Sequence, residues 1–423
     1  MKLGLFHPAF KTLGGAEVLV ASHGRFLVDS GHEVDLITFG FDPERWASAL
    51  EGLGLRVVPK RHWSEALVFW SRLRKHRARG HRAERHLQGL DAVIAYNWPC
   101  STMLGRSAAA TRKIWHCNEP PRGLHARETN PALTARLLAG GSDCDALDAF
   151  RASLASWDRK MEKKAPRYWL RQEDLQAVEA IDELWALSEF SAANLRAVYG
   201  PRSVEVIYPM VRFPEGVAKQ RGLDRSGLQV LVHSRLEVLK NVDTVLRGFA
   251  QFRAELNPSA RLHVVGEGDH RSRLESLAVE LGLKNAVEFH GFLPDEKLRD
   301  VYDACDVFAL LTLDEPFGMV FPEAAAKGLL LIGPNHGGPF EILEGGRIGW
   351  CVDAFEPSAP MQTLIRPLEL GRCCKTAAPA PSPKRTHVLR SDQSVIEESF
   401  SAPMTSTVSC VPEAMNCRPI SKA

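Results

Sequence analysis

Twice along this chain, short apolar runs rich in Val, Ile and Leu alternate with longer amphipathic stretches. That alternation is the signature of βαβ units, in which parallel strands are covered by helices on both faces and so read as continuous apolar runs. In the first half the predicted strands are KLGLF (2–6), EVDLITF (33–39), DAVIAYN (91–97), RKIWHC (112–117) and IDELWALS (181–188). In the second they are QVLVHS (229–234), RLHVVG (261–266), AVEFHGF (286–292), DVFALLT (306–312), LLLIG (329–333) and GWCVD (349–353). Between the halves, residues 209–227 are polar, carry Pro and Gly and show no period, which predicts a linker. With 423 residues, 45% of them apolar, the chain exceeds one ordinary core. The expected architecture is α/β: two Rossmann-like domains, residues 1–208 and 228–356, whose parallel sheets face a cleft.

Several function classes are disfavoured at once. A net charge of +2 gives no field for nucleic acid or any other polyanion. The N-terminus has no secretory apolar region and no run approaches the about 20 apolar residues of a membrane span, so the expected location is the cytoplasm. Nine cysteines without a C-x-x-C pair read as reduced thiols, not as a disulfide frame or zinc site. Residues 357–423 break the pattern: they lack apolar periodicity and hold nine of the 26 prolines and four of the nine cysteines. They read as a disordered tail foreign to the fold, as a shifted reading frame would produce, leaving the second domain incomplete.

Open parallel sheets bind ligands beyond the carboxyl ends of their strands, where helix N-termini offer free N–H groups. DEPFGMVFPEAAAKG (314–328) follows such a strand end, with Pro322 suited to a first helical position. Glu315 then lies in the loop and Glu323 in the first helical turn, while Gly318 lets backbone approach a ligand. Two carboxylates there can accept hydrogen bonds from hydroxyls; alternatively Glu323 complements the helix dipole and Glu315 is solvated. SRLEVLKN sets Arg235 and Lys240 at another strand end, as a pair for a diphosphate or as surface cations. TLGGAE places Gly14 and Gly15 at a helix start, either as a phosphate or sugar cradle or as a tight turn. His116 ends a strand before NEPPR (118–122), a polar, Pro-stiffened loop, in a structural or a catalytic role.

Taken jointly, GGAE with SGHEVDLIT behind it, WHCNEPPR, ALSEFSAANLRAVYG, SRLEVLKN, VVGEGDHRSRLE, FHGFLPDEKLRDVYDACDVF and EPFGMVFPEAAAKG resemble glycosyltransferase family 4, retaining GT-B enzymes using nucleotide-diphosphate sugars. The resemblance spans residues 1 to about 356. It implies that Arg235 and Lys240 hold the donor diphosphate and that Glu323 contacts the ribose. It further implies that Glu315 and the backbone of Phe317, Gly318, Met319 and Val320 contact the transferred sugar and phosphate. Gly15 and His116 would face the reacting centre from the other domain. The expected partners are a nucleotide sugar, GDP- or UDP-linked, and a glycan or lipid-linked acceptor, with mannose preferred because HCNEPPR resembles loops in that branch. Helix N-termini and the two cations can stabilise a departing diphosphate without metal or cofactor.

Other segments pull in other directions. Residues 60–86 hold nine Lys or Arg against two Glu, with an aromatic and aliphatic face near one end. Such a helix lies on anionic lipid headgroups at the inner membrane face or packs on the sheet. SDCD (142–145) mimics a D-x-D metal pair but does not follow a strand. VVGEGDHRSRL lacks the third glycine of a dinucleotide fingerprint and falls at the second strand of its domain. Besides a transferase, the chain can be read as a pyridoxal-dependent phosphorylase, or as a truncated, non-catalytic relative that at most binds nucleotide sugar.

Overall fold

The computed structural model describes residues 1–11, 14–59, 71–109, 112–138, 145–162, 166–210 and 227–355. The predicted linker falls outside this range from residue 211 to 226, and the predicted tail, residues 357–423, lies outside it altogether.

Two parallel sheets are present. The first comprises β1 Lys2–His7, β2 Glu33–Thr38, β3 Gly54–Val57, β4 Ala92–Tyr96, β5 Arg112–Cys117, β6 Glu183–Ala186 and β7 Glu205–Val206, ordered β3-β2-β1-β4-β5-β6-β7. The second comprises β8 Gln229–His233, β9 Arg261–Val265, β10 Val287–Gly291, β11 Val307–Ala309, β12 Leu330–Pro334 and β13 Trp350–Val352, ordered β10-β9-β8-β11-β12-β13. In both, the direction of winding reverses beside the first strand, between β1 and β4 and between β8 and β11. Such switch points leave a crevice beyond the strand ends, where ligands bind.

The strands form where expected because both of their faces are buried. All five residues of β4 are inaccessible, and Val230, Leu231 and Val232 of β8 are fully covered. The edge strands β3 and β7 were not expected: four and two residues are too short to display a period. Regular pairing in β11 ends at Ala309, although the predicted strand runs to Thr312; Leu310–Leu313 stay buried as the chain peels away toward the cleft. Pro322 occupies the third, not the first, position of helix Val320–Ala326, which is equally tolerant because that N–H also lacks an intrahelical partner.

The halves interlock. Leu133, Phe150 and Leu154, on first-half helices Pro131–Leu138 and Asp145–Glu162, belong to the apolar cluster of the second sheet. Arg136 pairs with Asp353 at 2.8 Å and lies over the Phe355 ring. In return, Phe317 of the second half is embedded in the first-half cluster with Phe10, Leu19 and Trp185. Ser188 donates from its hydroxyl to the Pro316 carbonyl at 2.6 Å, and Tyr208 donates to Glu341. Among the described residues no helix is long and apolar enough to cross a membrane.

Candidate active site

A cavity of about 1020 Å³ opens between the sheets at both switch points. From the first half it is lined by Gly15, Ala16 and Leu19 after β1, Asn97–Pro99 after β4, and Asn118, Glu119 and Pro121–Leu124 after β5. From the second half come Ser234, Arg235, Glu237, Leu239 and Lys240 after β8, and Leu310 with Asp314–Val320 after β11. Every one of these segments leaves the carboxyl end of a strand.

The centre of the second-half wall is an ion pair. Lys240 Nζ lies 2.5 Å from Glu315 Oε2, and each side chain is only 17% exposed. Lys240 is placed by Asn241, which takes a left-handed backbone conformation, φ +54°, that Asn tolerates better than most residues. The Asn241 side-chain amide donates to the Leu311 and Ala354 carbonyls, both at 2.9 Å, tying the β8 loop to the β11 loop and to the chain after β13. Arg235 is more exposed and pairs with Glu237 at 2.8 Å. Its loop is backed by Gly266 and Gly268: a Cβ on them would stand 1.9 Å from the Ser234 oxygen and 2.3 Å from the Leu236 oxygen. The incomplete glycine motif of VVGEGD therefore serves backbone packing. Gly318, at φ +94°, turns the β11 loop back toward the cleft, and a Cβ on it would come within 3.0 Å of Phe321.

A second charge network crosses the cleft. Arg122 pairs with Asp314 at 2.9 Å and with Glu119 at 2.6 Å, and Asn130 donates to Asp314 at 3.1 Å. Burial raises the Glu119 carboxyl above its ordinary value; Arg122 pulls it back, and Asp314 and Glu315 push it up again. NEPPR was legible as a polar loop at the cleft edge, but the reach of Arg122 to Asp314, 192 residues away, leaves no trace in local sequence.

The structure gathers Gly15, Arg235, Lys240, Glu315, Phe317, Gly318, Met319 and Val320 around the cavity, with Gly15 opposite Met319. Three other expected residues lie elsewhere. Gly14 is the extended N-cap of helix Gly15–Asp29 and does not line the cavity. His116 does not face the reacting centre: β5 continues to Cys117, and the fully buried imidazole stacks on His23 at 5.1 Å beside Tyr96 and Trp185. Burial holds it well below its ordinary pKa, as a neutral core residue, and the cleft is reached only two residues later at Asn118. Glu323 is half-buried in the first turn of helix Val320–Ala326 and is not among the residues that line the cavity; the Tyr302 hydroxyl donates to it, and Tyr302 lies 2.9 Å from Nδ1 of the cleft-lining His233.

Burial raises the Glu323 carboxyl to about 7. A folded pKa above the unfolded one means a stabilising contribution present below about pH 4.5 and lost as pH rises toward 7. Glu323→Gln, which cannot ionise, is expected to raise the melting temperature by several degrees at pH 8 and leave it nearly unchanged at pH 4.5. Equal shifts at both values would contradict this assignment, and scanning calorimetry reads both.

In the basic segment, residues 60–70 lie outside the described range. Helix Ser71–Leu87 buries Ala83 and Leu87 against the first domain, Arg77 pairs with Glu173, and Arg79 lines the cavity. Residues 142–144 of SDCD are likewise outside the description, and Asp145 opens helix Asp145–Glu162.

Two doubly wound sheets that face each other across a cleft built from their strand ends define a GT-B glycosyltransferase fold. The chain belongs to glycosyltransferase family 4: the Glycosyltransferase Family 4 model matches residues 13–212 and the Glycosyl transferases group 1 model residues 217–375. It is 34% identical over 151 residues to mannosylfructose-phosphate synthase of Agrobacterium fabrum, covering 34% of this chain and 33% of that protein. Over 342 residues it is 24% identical to an uncharacterized glycosyltransferase of Methanocaldococcus jannaschii, covering 79% and 80%. Over 218 residues it is 31% identical to a D-inositol 3-phosphate glycosyltransferase of Nocardioides, covering 46% and 47%. The first of these relatives is thus matched over a third of its length and the last over about half. Among solved structures, HepE of Anabaena in complex with UDP and glucose is similar at a TM-score of 0.65, with 19% identity and coverage of 95% of this chain and 100% of that one. WaaG, a glycosyltransferase of lipopolysaccharide biosynthesis, follows at 0.61, with 15% identity and coverage of 95% and 100%. At these identities the likeness is one of fold.

Proposed function

We propose that the chain transfers a hexose from a nucleotide-diphosphate sugar to a glycan or lipid-linked acceptor, with retention at the anomeric carbon and without a metal. The observation that carries this reading is the Lys240–Glu315 pair at 2.5 Å, set between two loops that both leave the second switch point. An ammonium already neutralised by a carboxylate can turn to a diphosphate as it enters, freeing Glu315 to accept hydrogen bonds from sugar hydroxyls. Arg235 and the N–H groups at the start of helix Val320–Ala326 add stabilisation of the charge that accumulates on the leaving group. The acceptor enters from the first half, past Gly15, Asn118 and Glu119.

Mannose is the preferred hexose, supported by the match to a mannosylfructose-phosphate synthase; the UDP held by HepE supports a uridine nucleotide. The test is a panel of UDP- and GDP-linked hexoses assayed for transfer and hydrolysis, with calorimetric titration of both nucleotides. Binding of neither nucleotide would favour a non-catalytic relative.

A lipid-linked acceptor fits the basic helix. Arg74→Glu with Lys75→Glu leaves the Glu173 pair and the cavity-lining Arg79 in place, and is expected to reduce co-sedimentation with anionic liposomes several-fold. Unchanged co-sedimentation would remove the membrane surface from the proposal.

A further inference from the structure

Away from the cleft, the edge strand β10 and its neighbour β9 carry two histidines and a glutamate that the transferase chemistry does not use. His263 Nδ1 lies 2.9 Å from His290 Nε2, and the two ring planes are within 18° of parallel with centroids 5.2 Å apart. Glu288 brings one oxygen to 3.9 Å from His263 Nδ1 and the other to 3.5 Å from His290 Nδ1. One ligand atom from each of the three residues falls within 4.8 Å of the others.

The backbone builds this cluster. Glu288 stands directly opposite His263 in the ladder, and the register shifts between Phe289 and Gly291, so that His290 is the extra residue of a bulge. Bulges re-aim side chains, and this one brings His290 over His263. Gln229, on β8, fixes the tautomer. Its side-chain N–H group donates to the Gly227 carbonyl at 2.7 Å, which turns its oxygen toward His263 Nε2 at 2.9 Å. That oxygen only accepts, so Nε2 carries the proton and Nδ1 presents a lone pair to His290. A neighbour that sets the tautomer in this way is the usual companion of a metal-ligating imidazole.

Two imidazole nitrogens facing one another at 2.9 Å need something positive between them, a proton or a metal ion. Nitrogens bound tetrahedrally to zinc stand about 3.3 Å apart, so an opening of a few tenths of an ångström admits one. The geometry points to a divalent transition-metal site of the zinc class, formed by His263 Nδ1, His290 Nε2 and a Glu288 oxygen and completed by water. Imidazole and carboxylate donors suit zinc, nickel or copper better than calcium or magnesium. The two imidazoles are 15% and 16% exposed and Glu288 60%, which leaves a route for the ion from solvent. Bound there, it ties the edge strand to the interior of the sheet, at a place where unpaired backbone otherwise invites fraying.

The test uses the full chain, stripped with a chelator and titrated with zinc chloride against a chromophoric competitor. One zinc is expected per chain, with a melting temperature that rises with zinc concentration. His263→Gln and His290→Gln are each expected to abolish the competition, and Gln229→Ala to weaken it roughly 10- to 100-fold. Glu288→Ala, at a position 60% exposed, is expected to weaken zinc by about tenfold. Because the chain also carries thiols, cobalt(II) serves as a spectroscopic probe: nitrogen and oxygen ligands give visible bands without thiolate charge transfer. Zinc affinity unchanged in both histidine variants, no stoichiometric binding, or a thiolate band that survives in the variants would overturn the site.

Discussion

Lys240→Ala is expected to lower kcat/KM for the proposed sugar transfer by roughly 100- to 1,000-fold, the cost of removing one charged donor from a developing oxyanion. Two effects add. On the proposed reading a departing diphosphate would lose an ammonium, and Glu315, which is 17% exposed and has Lys240 at 2.5 Å, would be left as an unpaired carboxylate on the cavity wall. The second effect separates this variant from a simple loss of contact. Lys240→Ala combined with Glu315→Gln is expected to bind nucleoside diphosphate better than Lys240→Ala alone, although transfer stays low in both. Steady-state kinetics with the donor identified by the panel, together with calorimetric titration of the nucleotide, reads both quantities. A Lys240→Ala enzyme within a few-fold of the parent would end the assignment of the cleft as a diphosphate site.

Arg122→Met is expected to destabilise the protein by about 3–5 kcal/mol, the cost of breaking a buried ion pair by removing one partner. The guanidinium holds Asp314, whose side chain is 6% exposed, and Glu119 together, so its loss leaves two carboxylates facing one another near Glu315. The defect should shrink on acidification. Glu119 already has a raised folded pKa, so the stability it contributes is present at low pH and is lost as pH rises through that value. Urea unfolding at pH 5 and pH 8 checks this; a defect of equal size at the two values would mean that Arg122 acts through packing and not through charge. Arg122→Met with Asp314→Asn should recover part of the loss, since the pair is then removed from both sides.

Much of the fold was legible because parallel strands buried on both faces announce themselves as apolar runs. Each of the eleven predicted runs overlaps an observed strand, while the two-residue β7 and the exposed edge strand β3 offered no such run. The second-half wall of the cavity was legible for a related reason: Arg235, Lys240, Glu315 and Gly318 sit in short loops directly after strands, so their place follows once the strands are known. The first-half wall was harder. His116 and Asn118 are two residues apart and would share a face in a continuing strand, but β5 ends at Cys117, so the first stays in the core while the second has left the sheet and reaches the cleft. The Arg122–Asp314 contact and the role of Asn241 depend on how two distant loops meet, and no local pattern encodes that meeting.

The tip of the loop after β11 is shared property. Phe317 sits among the side chains of the first sheet while its neighbours Glu315 and Gly318 line the pocket, and the Pro316 carbonyl is held by Ser188. Parting the two lobes must therefore pull an aromatic plug from its socket and tug on the strip of backbone that would grip the nucleotide. On the proposed reading, unlatching the lobes and slackening that grip would be a single mechanical event.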